Sequence, residues 1–472
     1  MSISSAFNSA SSGLRVTEAR ADMVASNIAN ASTAGYTRRE GTQVSSGGTG
    51  GQTVDLRMAR QVDERLAAMS RGASAQLGQA NVTGEVLRGY LSTLGDIGAE
   101  ISPAARMADF QAGLDLLANN PSSASVQADV LARADTLVRS LNTASNALES
   151  SRTQAAASFK SAATEVNSAL SDIANLNAQL RGQSIGSPSF SGLMDEMNMR
   201  LDALGSQMDF QSRWESSGTL TLFTAGGTEL VSGTEAARLT VDTQSGALFT
   251  DGTDITPNQP GNRGITSGRM AGLSQMLSTV IPQMKLQQDE LARGLVESFQ
   301  DADSSLTAGQ PGLFTDGGAA FDPAQSDGLA GRLGINANVR PETGGALWRL
   351  RDGMSAATPG DAGATAQINA FIGAFDTARP IATAAGLGSS ARLGDLASSM
   401  VGAQHNIRVS ADSQAGTASI RLATFEDGRS MVEGVNIDTE LQKLLEIEQS
   451  YGANSQVLSS LSDMIDTLLN AV

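Results

Sequence analysis

The sequence has no cysteine and one histidine, His405, in 472 residues. Disulfides, thiolate metal sites and thiol nucleophiles are excluded, so stability has to come from packing alone. Positive charge is scarce as well. The net charge is −17 and no Lys/Arg cluster offsets it locally, which argues against a nucleic-acid or anionic-membrane partner, because both are bound by basic surface. No stretch reaches the roughly twenty apolar residues of a membrane helix. The N-terminus also lacks the basic region and unbroken apolar run of a cleaved secretory signal. If the chain leaves the cell, the expected route is one without such a signal.

Both ends of the chain carry a narrow apolar stripe at helical spacing. Near the C-terminus, Leu444, Ile447, Tyr451, Asn454, Leu458, Leu461, Ile465, Leu468 and Val472 alternate three and four apart, which lines them along one edge of a helix. Ile437 and Leu441 prolong the stripe backwards, with Asp438 or Thr439 as the expected cap and Thr439 with Gln442 at capping-box spacing. Near the N-terminus, Ile3, Phe7, Ala10, Leu14, Thr17, Ala21, Val24 and Ile28 repeat the alternation. A strict three-four stripe with polar flanks is the pattern of coiled-coil packing. The two terminal helices are therefore expected to pair, and to be disordered in the monomer and fold when neighbouring subunits bury them. After Ile28, a run of small residues and Asn leads to Gly35, the natural position for a positive φ.

Between these ends the chain predicts a mainly α fold: an elongated antiparallel helical bundle with a small inserted β subdomain. Gly41 to Gly51 reads as a loop or short extended segment, and helix is expected from Thr53 onward. The helical pattern breaks at Asn119-Asn120-Pro121, where proline cannot continue a helix. It resumes with stripes at Val130, Leu137, Leu141 and Leu148 and then at Val166, Leu170, Ile173, Leu176 and Leu180. From about Gln211 the period changes to two, in Thr219–Phe223, Glu229–Val231, Leu239–Val241 and Leu248–Phe249, with Gly226-Gly227 as a hairpin turn. Helix returns from Gly268 to Asp303, then over Ala364–Leu387 and Leu393–Phe425. The expected division is residues 1–40 and 434–472 as a terminal assembly domain, 41–205, 263–310 and 393–433 as a helical rod, 206–262 as the β subdomain, and 311–392 as an irregular to helical connection.

Three stretches imitate functional motifs. His405 lies on a helical segment with no serine or carboxylate arranged for catalysis beside it, so a structural or surface histidine is the expectation. Gly386-Leu387-Gly388-Ser389-Ser390-Ala391 has the loose dinucleotide spacing without a preceding buried strand. Asp301-Ala302-Asp303 begins like a calcium loop but places Leu306 where glycine is required. No catalytic, cofactor or metal site is expected, and the enzyme reading has no cluster to rest on.

Short motifs at the two ends carry a family resemblance. Asn27-Ile28-Ala29-Asn30 followed by Thr33-Ala34-Gly35-Tyr36 resembles the N-terminal signature of the bacterial flagellar rod, hook and hook-associated axial proteins. Gly434-Val435-Asn436-Ile437-Asp438 with Tyr451-Gly452-Ala453-Asn454 resembles its C-terminal half. Leu117-Ala118-Asn119-Asn120-Pro121, Asn142, Asn167 and Ile173-Ala174-Asn175-Leu176-Asn177 resemble the long helical segment of the hook-associated members, which ordinary rod proteins lack. Gly312-Leu313-Phe314 and Gly334-Ile335-Asn336 also resemble the family, with a much shorter interval between them than in its larger members. The resemblance implies a structural subunit joining hook to filament, with a hook or distal-rod protein as the alternative. It further implies export through the flagellar type III apparatus. The implied partners are copies of itself, the hook protein, a second hook-associated protein or flagellin, and a cytoplasmic export chaperone at the C-terminal helix, with no nucleic acid and no membrane.

Overall fold

The computed structural model describes residues 3–48, 51–216, 218–259, 261 and 263–470, with side chains described throughout these except at 3–4, 45–48, 51–53, 55 and 468–469. The chain opens with helix α1 (Ile3–Ala29), turns at Gly35, and forms an antiparallel ribbon of β1 (Arg39–Gly48) and β2 (Gly51–Arg60). Helices α2 (Glu64–Leu94), α3 (Pro103–Asn119), α4 (Ala124–Leu180) and α5 (Pro188–Gln207) follow. A four-stranded antiparallel sheet comes next, β3 (Phe210–Trp214), β4 (Leu220–Thr224), β5 (Glu229–Ser232) and β6 (Glu235–Ala236), and then a three-stranded one, β7 (Leu239–Asp242), β8 (Ala247–Thr250) and β9 (Thr253–Asp254). Helix α6 (Arg269–Gln275) passes through a π-helical turn, Met276–Val280, into α7 (Ile281–Asp301).

The following stretch is mostly short elements. Strand β10 (Phe314–Asp316), helix α8 (Leu329–Arg332), strand β11 (Leu333–Ile335), helices α9 (Arg349–Asp352) and α10 (Ala366–Asp376), and strands β12 (Arg379–Pro380) and β13 (Ser390–Ala391) lead to the two long closing helices, α11 (Leu393–Glu433) and α12 (Ile437–Leu469). The fold is thus mainly α with small antiparallel sheets, as the periodicities predict.

Local chemistry explains most boundaries. α3 ends at Asn119 and α4 restarts after Pro121 with Ser123 as its cap, its hydroxyl accepting from the Val126 N–H. Two expectations need correction. Residues 53–60 form strand β2 rather than helix, because ten consecutive residues pair with β1 and the ribbon lies on α1, a tertiary environment that overrides the helix-forming Leu56, Met58 and Ala59. Helix over 364–387 stops at Asp376, since Pro380 cannot donate within a helix and Gly386 adopts a φ of +70°.

The rod is built around α4, whose buried stripe runs from Val130 through Phe159 to Leu180. α2 and α11 pack antiparallel along one another, with Gly428 beside Leu66 at one end and His405 beside Gly95 at the other. Five phenylalanines, Phe110, Phe299, Phe314, Phe371 and Phe375, form a buried cluster with ring centroids 5.0–6.0 Å apart, pinning α3, α7, β10 and α10 together. A buried polar chain ties α2, α7 and α11: Tyr90 donates to the Gln404 carboxamide oxygen and accepts from Gln288 at 2.8 Å, while Gln404 donates to the Met284 carbonyl. Burial pushes the Tyr90 phenol above its ordinary range, against the smaller opposing effect of the Gln288 hydrogen bond, so it remains a donor.

The β subdomain is fastened to α4 by two asparagines. Asn177 accepts from the Leu220 N–H and donates to the Leu220 carbonyl, both at 2.8 Å, and reaches the Gly233 carbonyl at 2.7 Å. Asn167 does the same to Leu239, at 2.8 Å in each direction. Leu220 and Leu239 are the first residues of β4 and β7. Further along the helix Asn142 donates to the carbonyl of Leu333, the first residue of β11. Each carboxamide offers a donor and an acceptor side by side, as a neighbouring strand would.

Asn177→Ala leaves the Leu220 N–H buried without its acceptor and removes the donor from two carbonyls. At about 1–3 kcal/mol for each buried group left unsatisfied, chemical denaturation should show a loss of at least about 2 kcal/mol. Amide exchange at Leu220 should accelerate more than at Val231 on β5; equal acceleration would mean that the sheet is not held through this side chain.

Candidate assembly site at the paired chain ends

α1 and α12 pack antiparallel, and the β1–β2 ribbon lies against the same helix α1. Their register is visible at two places. Asn27 meets Glu440 at 3.0 Å, and a Cβ added to Gly13 would come within 3.3 Å of the Asn454 carboxamide, so the missing side chain is what lets the helices approach there.

The buried edge of α12 is a row of residues spaced seven apart. Glu440, Ile447 and Leu461 are buried and Asn454 is half-buried. Leu458 and Ile465 flank it, half-buried, in the second half of the helix. In the first half the stripe expected from spacing splits: Ile437, Leu441, Leu444 and Tyr451 turn outward and stay 47%, 46%, 37% and 51% exposed. On α1, Val24, Ala10 and Thr17 are buried, Leu14 and Ile28 are half-buried, and Phe7 remains 44% exposed. The side chains of Ile3 and Leu468, and the whole of Val472, lie outside the described residues.

Asn27 is the centre of the site. It is fully buried, and all of its hydrogen-bonding capacity is used: its oxygen accepts from the Tyr36 hydroxyl at 2.8 Å and the Arg39 N–H at 3.1 Å, while its nitrogen donates to the Arg39 carbonyl at 2.9 Å and to Glu440 at 3.0 Å. One side chain thus joins the end of α1, the turn, the first residue of β1 and the first turn of α12. Asn30 shapes the helix end by donating to the Ser26 carbonyl. Gly35 has a φ of +78° and sits against Met199, where a Cβ would come within 2.3 Å of the side chain.

At the other end, the Gly434 N–H closes α11 on the Ser430 carbonyl. Asn436 caps α12, its side chain accepting from the Thr439 N–H at 3.1 Å, which corrects the expected cap at Asp438 or Thr439. Asp438 lies exposed in the first turn, where a negative charge suits the positive end of the helix dipole, and Ala453 is exposed.

Ion pairs that sequence reading missed bind this unit to the rod. Asp195 of α5 receives Arg60 at 2.7 Å and Arg39 at 3.5 Å, with both guanidiniums largely buried. Asp202, seven residues further on, receives Arg71 of α2 at 2.7 Å and Arg429 of α11 at 3.1 Å. The Arg38 N–H donates to the Glu433 carbonyl at the end of α11. Buried Glu440 also receives Lys443 at 2.7 Å. Glu440 had a signal, since it stands seven residues before Ile447, but its charge hid it from a search for apolar rows. Arg60 and Asp195 are 135 residues apart and had none.

The motif look-alikes do not come together as sites. His405 bonds the Gly95 carbonyl at 3.0 Å and faces Asp96, so it fastens α11 to the end of α2. Asp303 accepts from the Met354 and Ser305 N–H groups. Among the described residues no group of His, Asp and Glu side chains is arranged to hold a metal, and no helix is long and apolar enough to cross a membrane.

Three family descriptions match the chain in order: flagella basal body rod protein over residues 7–37, flagellar hook-associated protein FlgK helical domain over 91–312, and flagellar basal body rod FlgEFG protein C-terminal over 428–471. The first and third fall on the two helices that Asn27 and Glu440 join. The chain is thus similar to the flagellar axial proteins at both ends and to their hook-associated members between them. The curated relatives it matches are named flagellar hook-associated protein 1. The hook-associated protein 1 of Bacillus subtilis (strain 168) is 20% identical over 97% of this chain and 96% of its own length. That of Salmonella typhimurium (strain LT2) is 24% identical over 63% of this chain, and the match spans only 56% of the Salmonella protein. A solved structure, the flagellar hook junction protein FlgK from Burkholderia pseudomallei, overlaps 52% of this chain and 46% of its own at 21% identity, with a TM-score of 0.44.

Asp195→Ala leaves two largely buried guanidiniums without their carboxylate, a change that costs about 3–5 kcal/mol where one partner of a buried pair is removed. Limited proteolysis of the variant should cut near Gln61 and Gly434 well before the rod is attacked. Cleavage kinetics equal to those of the parent chain would mean that the pairs do not hold the terminal unit in place.

Proposed function

We propose that this chain is a structural subunit of the bacterial flagellum, joining hook to filament and self-assembling through its paired terminal helices. The observation that carries this reading is the state of α12: one edge is packed on α1, while Ile437, Leu441, Leu445 and Tyr451 remain exposed on a helix whose flanks are charged. An exposed apolar row of this length marks an interaction surface. Residues 1–40 and 434–472 act as the assembly domain, to which the β1–β2 ribbon adds. The rest of 41–205, together with 263–310 and 393–433, supplies the rod, 206–262 the β subdomain, and 311–392 the connection.

In this reading the partners are further copies of the chain, the hook protein, and a second hook-associated protein or flagellin, with an export chaperone holding α12 before assembly. The chain reaches the flagellum through the type III export apparatus. The family match over residues 91–312 favours the junction over a hook or distal-rod position, whose members share the terminal motifs.

Leu461→Asp tests the reading. A carboxylate placed between packed helices costs several kcal/mol at each repeated contact, so hooks from cells making only the variant should lack filaments. The rod's thermal transition in the purified monomer should be unchanged, because Leu461 lies outside the rod core. Normal filaments would remove α12 from the assembly surface, and gross destabilisation of the rod would make it part of the monomer's core.

A further inference from the structure

The rod carries an unusual cleft along the α2–α11 pair. Two adjoining cavities, of about 330 and 470 Å³, share Gln79, Ala80 and Gln414, and the π-helical turn forms part of the wall. In a chain with a net charge of −17, the only charged residue lining either cavity is Arg421, which donates to Gln76 at 2.8 Å. The cleft is instead lined by carboxamides, Gln76, Gln79, Gln275, Gln283, Asn406 and Gln414. Two of their bonds are stretched, Gln79 to Gln275 and Gln283 to the Ala385 carbonyl, both at 3.5 Å, the outer limit of a hydrogen bond, while Gln414 donates to Ser410 at 3.2 Å.

Carboxamides on a helix have a demonstrated use in this molecule. Asn27, Asn167 and Asn177 each grip the N–H and the carbonyl of one extended residue. A row of them in a cleft whose one charge, Arg421 at its end, is already hydrogen-bonded to Gln76 suits an extended backbone with small, neutral side chains, because a charged segment would lose its water along the rest of the cleft with nothing to pair against.

We propose that the cleft takes an extended, uncharged segment of a second copy of this chain, supplied by the β1–β2 ribbon. Residues 41–54 contain only Gly, Thr, Gln, Val and Ser. The ribbon is a sheet of two strands, so the outer edge of each strand presents backbone groups unpaired within its sheet. Val44 is 44% exposed. Within its own copy the ribbon packs on α1, so the cleft is filled from a neighbour. Asn27 clips the base of the ribbon at Arg39, which presents it in a fixed direction. This inference rests on the assembly reading above and adds to it the contact that sets one copy's terminal unit against the next copy's rod.

The absence of cysteine makes disulfide trapping clean. Val44→Cys with Ser413→Cys, on the cleft, should give disulfide-linked multimers when hooks assembled from the variant are oxidised. Val44→Cys with Ser150→Cys, on the exposed side of α4, should not, and neither should the single-cysteine chains. A second arm places charge in the cleft without changing side-chain size: Gln79→Glu with Gln414→Glu should lower recovery in hooks at least tenfold while the rod's thermal transition holds. Assembled hooks with no cross-link, equal cross-linking from both pairs, or normal recovery of the charged variant would each overturn the contact and leave the assembly reading standing. If the parent chain itself fails to enter hooks, the assembly reading falls with it. Should the double-cysteine chain not assemble, the charged variant decides alone.

Discussion

The interaction on which the architecture depends is the grip of a helix-borne asparagine on the first residue of a strand. A helix satisfies its own backbone, so it has no main-chain groups to offer sideways to an extended segment. A strand that starts beside a helix would bury an N–H and a carbonyl against it with nothing to bond. Asparagine supplies the missing neighbour, and does so at the first residue of β1 through Asn27, of β4 through Asn177 and of β7 through Asn167. Asn142 meets β11 with its donor alone, and its oxygen is left buried without a partner. The long helix α4 therefore works as a rail with fixed attachment points, and α1 uses the same device at the other end of the molecule.

Buried charge sets direction where asparagine sets attachment. In a chain with an excess of acid, the junction between terminal unit and rod gathers Arg39, Arg60, Arg71 and Arg429 around Asp195 and Asp202. Such pairs add little net stability over an apolar contact of the same shape, because each charge has to be taken out of water. They do penalise every arrangement in which one partner is left alone. The two ends of the chain also meet through polar groups, with Glu440 enclosed by Asn27 and Lys443 in a row that continues through Ile447, Asn454 and Leu461. An all-leucine row would pack in several registers seven residues apart; a single buried carboxylate facing a single buried carboxamide permits one.

Much of this was legible in the residues, and the limits have physical causes. The α4 stripe, the break at Pro121, the positive φ at Gly35 and strands β4, β5, β7 and β8 follow from short-range rules of period and backbone geometry. Strand β2 did not, because Leu56-Arg57-Met58-Ala59 has no intrinsic strand preference and is extended only by pairing with β1 over α1. The terminal stripes were visible as stripes, but two adjacent rows at three and four spacing look alike in a sequence. Only the partner decides that Ile447 is buried and Tyr451 is not. The Asp195 clasp depends on residues brought together from α5 and the ribbon, and no local pattern announces it.

The contrast between rod and termini follows from the same bookkeeping of covered surface. In the rod, α4 is flanked by α2, α3, α5 and α7 and by both sheets, so its apolar row is closed off from water and the Phe cluster and the Tyr90 network have no outlet. The terminal pair has two helices and a two-stranded ribbon. Two helices can hide only one edge of each other, since the contact between cylinders is a line. A third helix or a sheet face would be needed to cover the row that runs through Leu441 and Tyr451, and among the described residues this chain places none there. The apolar row of α4 is thus buried within one copy, whereas the outer row of α12 is left open to solvent.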